Sequence, residues 1–325
     1  MDMDPRTGRL DTVACQTLDS LNKQPLHKGP DMRTAVPRVA AIHDLAGFGR
    51  TSLAVVIPIL STMGVQVCSM PTAVLSTHTT EFTGFSFLDL SGEMRRFIEH
   101  WEALGLRFDA VYSGFLGCAA QMEIVAECIE RCLLPDGLAV VDPVMGDNGR
   151  LDPTITPEMV EQMRWLVGKA HCITPNYSEA CWLLNKAYAP ESSTERIQDW
   201  LLQLAEMGPE IAVITSAPVA ARPQDSSVVG YHRGQRRFWK VDCPYIPAFY
   251  PGTGDMFTSV LTGSLLQGDS LPLAMDRAVH FVTQGIRATF GHADPNHYGI
   301  LLERVLETLR SPVALAGYEL MAEDA

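Results

Sequence analysis

The chain has 325 residues, 46% hydrophobic and 19% charged, so it can fill a sizeable core and its bulk cannot be disordered. Its net charge of −13 excludes a non-specific nucleic-acid surface and a polybasic membrane contact, while a glycine loop and a metal can still hold an anion locally. Eight cysteines without a Cys-x-x-Cys pair, and no secretory leader, set the expectation of reduced thiols in a cytoplasmic protein.

Residues 1–35 are polar, contain proline and lack periodicity; the expectation is a disordered extension whose removal leaves folding and activity intact. Residues 36–310 are expected to form a single domain and 311–325 a frayed tail. An apolar strand over 39–42 leads through His43-Asp44-Leu45-Ala46-Gly47-Phe48-Gly49-Arg50 into a helix over 52–63 and a strand over 65–69. The apolar run 53–60 is too short to cross a bilayer and is broken by Pro58. Gly47-Phe48-Gly49 lacks the third glycine and the acidic partner of a dinucleotide fingerprint, and no P-loop pattern occurs anywhere. Loop 71–84 is rich in Thr and Ser and is expected at the carboxyl edge of the sheet, where open α/β folds bind ligands. Within it His78 reads as a structural hydrogen-bonder.

A helix over 92–104, a strand over 110–113, a turn at 114–117 and a helix over 119–134 come next. Cys128 and Cys132 lie one turn apart on that helix and read as a buried face. A strand over 138–141 ends in Asp142-Pro143-Val144-Met145-Gly146-Asp147-Asn148-Gly149. That pattern suits a hard cation held by oxygen, although the residues by themselves fit turn chemistry better. After a helix over 157–167 and a strand over 170–174, Asn176 and Glu179 have the spacing of a capping box. A helix over 193–207, a strand over 211–215, and a hairpin pairing 227–231 with 236–241 around Gly234 lead through Asp242-Cys243-Pro244. Helices over 258–266, 271–289 and 296–309 close the chain. The whole reads as α/β: one doubly wound, mostly parallel sheet with helices on both faces.

The stretch Tyr250-Pro251-Gly252-Thr253-Gly254-Asp255 carries the chemistry. Gly252 and Gly254 give the backbone conformational freedom and let a ligand approach it. The N–H groups of the helix that follows favour an anion, and Asp255 sets a carboxylate beside them. A phosphoryl group there and an alcohol beside the carboxylate is what a small-molecule kinase needs. The plain alternative is that Thr253 caps the helix and Asp255 complements its dipole.

Taken with Ser76-Thr77-His78-Thr79, Tyr112-Ser113-Gly114-Phe115-Leu116-Gly117, Asp142-Pro143-Val144-Met145-Gly146, and Thr174-Pro175-Asn176 with Glu179, the chain resembles the pyridoxal kinase branch of the ribokinase superfamily. The resemblance runs over about 39–287. It implies a ribokinase-like fold and transfer of the ATP γ-phosphoryl group to the 5′-hydroxymethyl of a vitamin B6 vitamer. It also implies Mg²⁺, often K⁺, and a homodimer. Carried over, Asp255 is the base, and Gly252, Thr253 and Gly254 stabilise developing charge. Asp142 and Glu179 sit near the metal and phosphates, with Asn176 beside them. Thr174 meets the nucleotide, Thr215 the phosphates, and Lys240, Val241, Asp242 and Cys243 line the nucleotide pocket. Asp44, Thr79 and Thr80 hold the pyridine ring. Two positions depart: Asp44 replaces the serine of many pyridoxal kinases, and Thr215 the Lys of some relatives. Hydroxymethylpyrimidine kinases typically carry Cys where Asp255 stands, yet a pyrimidine or other small alcohol, or a non-catalytic nucleotide or vitamer binder, remains an alternative.

Overall fold

The structure is a computed structural model and describes residues 35–189, 191–218, 226–243, 246–292, 296–310 and 317–321. The expected extension, apart from residue 35, and Pro244 lie outside the described residues.

The first half of the chain alternates strand and helix. It runs β1 (Arg38–Ala46), α1 (Leu53–Thr62), β2 (Gln66–Leu75), β3 (Phe87–Asp89), α2 (Ser91–Ala103), β4 (Phe108–Ser113), α3 (Ala119–Cys132) and β5 (Leu133–Val141). A small hairpin follows, β6 (Gly146–Asp147) and β7 (Arg150–Leu151), then α4 (Pro157–Val167), β8 (Cys172–Ile173), α5 (Tyr177–Leu183) and α6 (Thr194–Glu206). The last part is β9 (Ile211–Pro218), β10 (Ser226–His232), β11 (Arg237–Cys243), α7 (Thr253–Leu266), α8 (Leu271–Thr289), three short 3₁₀ turns and β12 (Tyr318–Met321).

Among the described residues ten strands form one sheet in the order β12-β11-β10-β9-β8-β5-β4-β1-β2-β3. The run from β2 to β9 is parallel, with antiparallel strands added at both edges. Successive strand residues face opposite sides, so β1 sends Ala40 and Ile42 to one core and Val39 and Ala41 to the other. Helices α2 to α6 cover the first core; α1, α7 and α8 cover the second. The chain leaves β1 toward β2, then crosses to β4 on its other side. That reversal opens a crevice at the carboxyl ends of β1 and β4.

Several expectations are corrected. Strand β2 runs on to Leu75, so 71–75 is not loop; Pro71 is tolerated because β3 pairs only from Ala73 onward, leaving the side of β2 beside Pro71 open. Helix α3 stops at Cys132, two residues early, because Leu133 already pairs with Phe108. The helix expected over 296–309 is instead three 3₁₀ turns, Asn296–Tyr298, Leu302–Arg304 and Leu306–Arg310. Gly299, at φ 84, breaks it, and a side chain there would press on Arg50. Part of the tail taken as frayed is β12, which pairs with β11 and is tied down by the Gly317 N–H donating to Asp276 Oδ1 at 2.9 Å.

Candidate active site

Strand ends and helix starts converge on a cavity of about 360 Å³ above that crevice. Asp142 is delivered by the end of β5, where its N–H donates to the Ser113 carbonyl at 2.9 Å. The start of α5 brings Asn176 and Glu179, and the start of α7 brings Gly252 to Asp255.

Asn176 and Glu179 form a true capping box. The Asn176 side chain accepts from the Glu179 N–H at 2.9 Å, and Glu179 Oε2 accepts from the Asn176 N–H at 2.7 Å. Glu179 Oε1 also accepts from the Met145 N–H at 3.0 Å, so the carboxylate locks the β5–β6 connection to α5. Capping and site-building are therefore the same arrangement.

Gly252 is the N-cap of α7 in the left-handed region, φ 85, and a Cβ there would overlap the Arg50 carbonyl oxygen. Gly254 differs from expectation: it is an ordinary helical residue, and a Cβ there would sit 3.8 Å from Asp142 Oδ2. Its bareness preserves space between the helix start and Asp142. The plain reading of Thr253 as cap is overturned, since Gly252 holds that position and the Thr253 hydroxyl donates to the Tyr250 carbonyl at 3.3 Å.

Asp255 keeps 13% of its side chain exposed. Its Oδ2 accepts from the Ser52 N–H at 2.8 Å, and its Oδ1 lies 3.8 Å from His43 Nδ1. Burial pushes its carboxyl up to about 7; the Ser52 N–H opposes this and the Asp44 carboxylate adds to it. Burial and the Asp255 charge raise Asp142, against the Thr174 and Thr258 hydroxyls; burial and the Asp142 charge raise Glu179. His43 offers no counter-charge: fully buried beside the edge of Tyr112, it is pushed down to about 3 and stays neutral. Three crowded carboxyls held above their ordinary range make a site that gains from a bound cation.

A second lobe of about 270 Å³ shares Thr215, Phe249, Tyr250, Thr253, Gly254 and Phe257 with the first. Its other walls, among them Val228, Cys243, Val279 and Ile286, carry no charge.

The profile of the phosphomethylpyrimidine kinase family matches residues 57–298. The chain belongs to that family. A phosphomethylpyrimidine kinase-family chain of this kind is a phosphotransferase acting on an alcohol group. A solved structure from Bacteroides thetaiotaomicron, named provisionally as a phosphomethylpyrimidine kinase and crystallised with pyridoxal, is 54% identical. It covers 88% of this chain and 100% of its own, with a TM-score of 0.85. Pyridoxal kinase from Arabidopsis thaliana is 30% identical over 240 residues, 71% of this chain and 75% of that protein. Hydroxymethylpyrimidine/phosphomethylpyrimidine kinase from Bacillus subtilis is 28% identical over 198 residues, 59% of this chain and 70% of that protein.

Within this family member, one cavity gathers Asp44, Thr79, Thr80, Asp142, Thr174, Asn176, Glu179, Thr215 and 252–255. Cys243 lines the second lobe. Lys240, Val241 and Asp242 reach neither lobe. Strand alternation turns Val241 into the core, and Lys240 pairs with Asp242 at 3.2 Å and with Glu319 of β12 at 3.9 Å. His78 is structural: its Nδ1 accepts from the Thr80 N–H at 3.2 Å, leaving Nε2 to donate to the His297 carbonyl at 2.8 Å. Gly49, at φ 100, packs on that same ring. Sequence reasoning missed His43, Ser52 and Thr258. The Thr258 hydroxyl reaches Thr174 Oγ1 at 2.9 Å and Asp142 Oδ2 at 3.4 Å. Its signal was available, three residues beyond Asp255 on one helix face.

Proposed function

We propose that the protein phosphorylates the 5′-hydroxymethyl group of a vitamin B6 vitamer (pyridoxal, pyridoxine or pyridoxamine) with ATP as donor, in pyridoxal 5′-phosphate salvage. The reading is carried by Asp255, a carboxylate poised near neutrality at a helix start and open to the cavity that Asp142 and Glu179 line. Its support on the substrate side is the Bacteroides relative crystallised with pyridoxal.

The vitamer occupies the end of the cavity lined by Asp44, Thr79 and Thr80, its alcohol toward Asp255. ATP lays its base in the uncharged second lobe and its triphosphate across the shared wall at Thr215, Thr253 and Gly254. As the alcohol oxygen bonds to the γ-phosphorus, the bond to the β-phosphate oxygen breaks and ADP leaves. The hydroxyl proton passes to Asp255. The N–H groups at the start of α7, which have no intrahelical acceptors, face the charge that develops.

Asp142 and Glu179 fit Mg²⁺. Both are buried carboxyls held above their ordinary range, Asp142 by burial and the Asp255 charge and Glu179 by burial and the Asp142 charge, and such hard oxygen donors suit the ion. Glu179 already accepts two backbone N–H bonds, so Asp142 would be the residue to hold the ion and Glu179 would act mainly by charge. A bound Mg²⁺ would supply neutralisation of the phosphate charge. The same reading includes K⁺ as an activator, a homodimer and a cytoplasmic location.

One panel tests the reading: ADP release with pyridoxal, pyridoxine, pyridoxamine and hydroxymethylpyrimidine, with and without Mg²⁺. A B6 vitamer should be turned over at least about tenfold more efficiently than the pyrimidine, and only with Mg²⁺. Better turnover of the pyrimidine would hand the site to the second reading, which the Bacillus subtilis relative favours. No ADP from any alcohol would leave a binding protein.

A further inference from the structure

The walls of the main cavity carry six carboxyls, those of Asp44, Asp142, Asp147, Asp152, Glu179 and Asp255, and a single permanent cation, Arg150. The adjoining lobe carries no charged side chain. A nucleoside triphosphate entering this space is a polyanion meeting an acidic wall, and one divalent ion leaves part of its charge unmatched.

Arg150 opens β7 of the small hairpin, and the hairpin is held in place on both flanks. Gly146 sits at φ 147, where a side chain would collide with the Arg150 carbonyl; Gly149 sits at φ 70, where a side chain would collide with the Tyr188 ring. The Asn176 side chain donates to the Gly146 carbonyl at 2.8 Å, the Gly149 N–H donates to the Ser178 hydroxyl at 2.9 Å, and the Asp152 N–H donates to the Met145 carbonyl at 2.8 Å. The start of α5 that positions Glu179 therefore also positions the hairpin carrying Arg150. Among the described residues no carboxylate pairs with the Arg150 guanidinium, although the cavity is lined with them.

We propose that Arg150 is a nucleotide-binding residue that contacts the triphosphate, with its planar fork of N–H donors on the phosphate oxygens opposite Asp142 and Glu179. The inference rests on the kinase reading above and adds a residue to it. A guanidinium is suited to the task because it stays charged at any working pH and can bind two phosphate oxygens at once.

Steady-state kinetics and titration calorimetry of the full chain, with MgATP and pyridoxal as probes, test it in Arg150→Gln and Arg150→Lys. Arg150→Gln should raise the KM for MgATP about tenfold or more, the scale of a charge-assisted hydrogen bond, and leave the KM for pyridoxal within about twofold. Arg150→Lys should recover part of the loss, because it restores charge without the fork. An unchanged KM for MgATP in Arg150→Gln overturns the proposal, as does an equal rise in both KM values, which would mean a structural role for the hairpin. Should the wild type bind MgATP but phosphorylate none of the alcohols, with Arg150→Gln weakening that binding tenfold, the vitamer reading falls and Arg150 stands. A wild type that binds no MgATP removes both.

Discussion

Two neighbours of opposite effect set the working range of Asp255. Burial and Asp44 hold its proton, and the Ser52 N–H loosens it, which brings the carboxyl to about 7. Only the ionised form accepts the alcohol proton, so turnover should climb as pH rises through about 7 and fall about tenfold per unit below it. A pH–rate profile checks this. Replacing Asp255 by Asn should keep MgATP binding but lower kcat by roughly two orders of magnitude or more, measured by coupled ADP release. Asp44 presents a buried carboxylate, itself raised by burial, to the end of the cavity where the proposal seats the vitamer. Asp44→Ser should therefore lower kcat/KM for pyridoxamine relative to pyridoxal by about tenfold, since an amine cation loses a charged partner; an unmoved ratio would clear Asp44 of that role. Asp255, Asp142 and Glu179 were legible in the sequence because each lies in a short motif at a strand or helix end. His43 and Ser52 were not, because their value lies in reaching a carboxylate some 200 residues away; Ser52 and Asp255 are separated by 203 positions.

Elements that are strongly periodic and bounded by caps could be read directly, as α4 shows with Thr156 capping Pro157–Val167. Edges were harder. β3 and β12 are three and four residues long, and their place depends on the partner strand rather than on their own pattern. The glycine turn before α7 is the junction where two elements meet: the bareness of Gly252 leaves room for the Arg50 carbonyl in the β1–α1 connection. Gly252→Ala combines a disfavoured backbone region, at about 1–3 kcal/mol, with that overlap. A fall in Tm of roughly 5 °C or more is expected in a thermal scan, together with loss of turnover, because the same shift moves the α7 N–H groups.

For the molecule as a whole, raised carboxyls give stability an unusual slope. The folded state holds the Asp255 proton up to about 7, whereas an ordinary aspartate releases it near 3.8. The folded state thus binds more protons in that window, and this contribution to stability declines as pH rises from about 4 to about 7. Asp142 and Glu179, raised in the same direction, extend the decline. Added Mg²⁺ should reverse it, so the gain in Tm on adding Mg²⁺ should be larger at pH 8 than at pH 6; equal gains would separate the ion from these carboxyls. Fold class was legible from alternating strand and helix patterns, but strand order was not, since it is decided by which apolar faces meet across the sheet. The Ser52 to Asp255 hydrogen bond has a kinetic corollary. Loops closed over so many residues form late, so enzyme refolding from denaturant should recover helical signal first and phosphorylating power last.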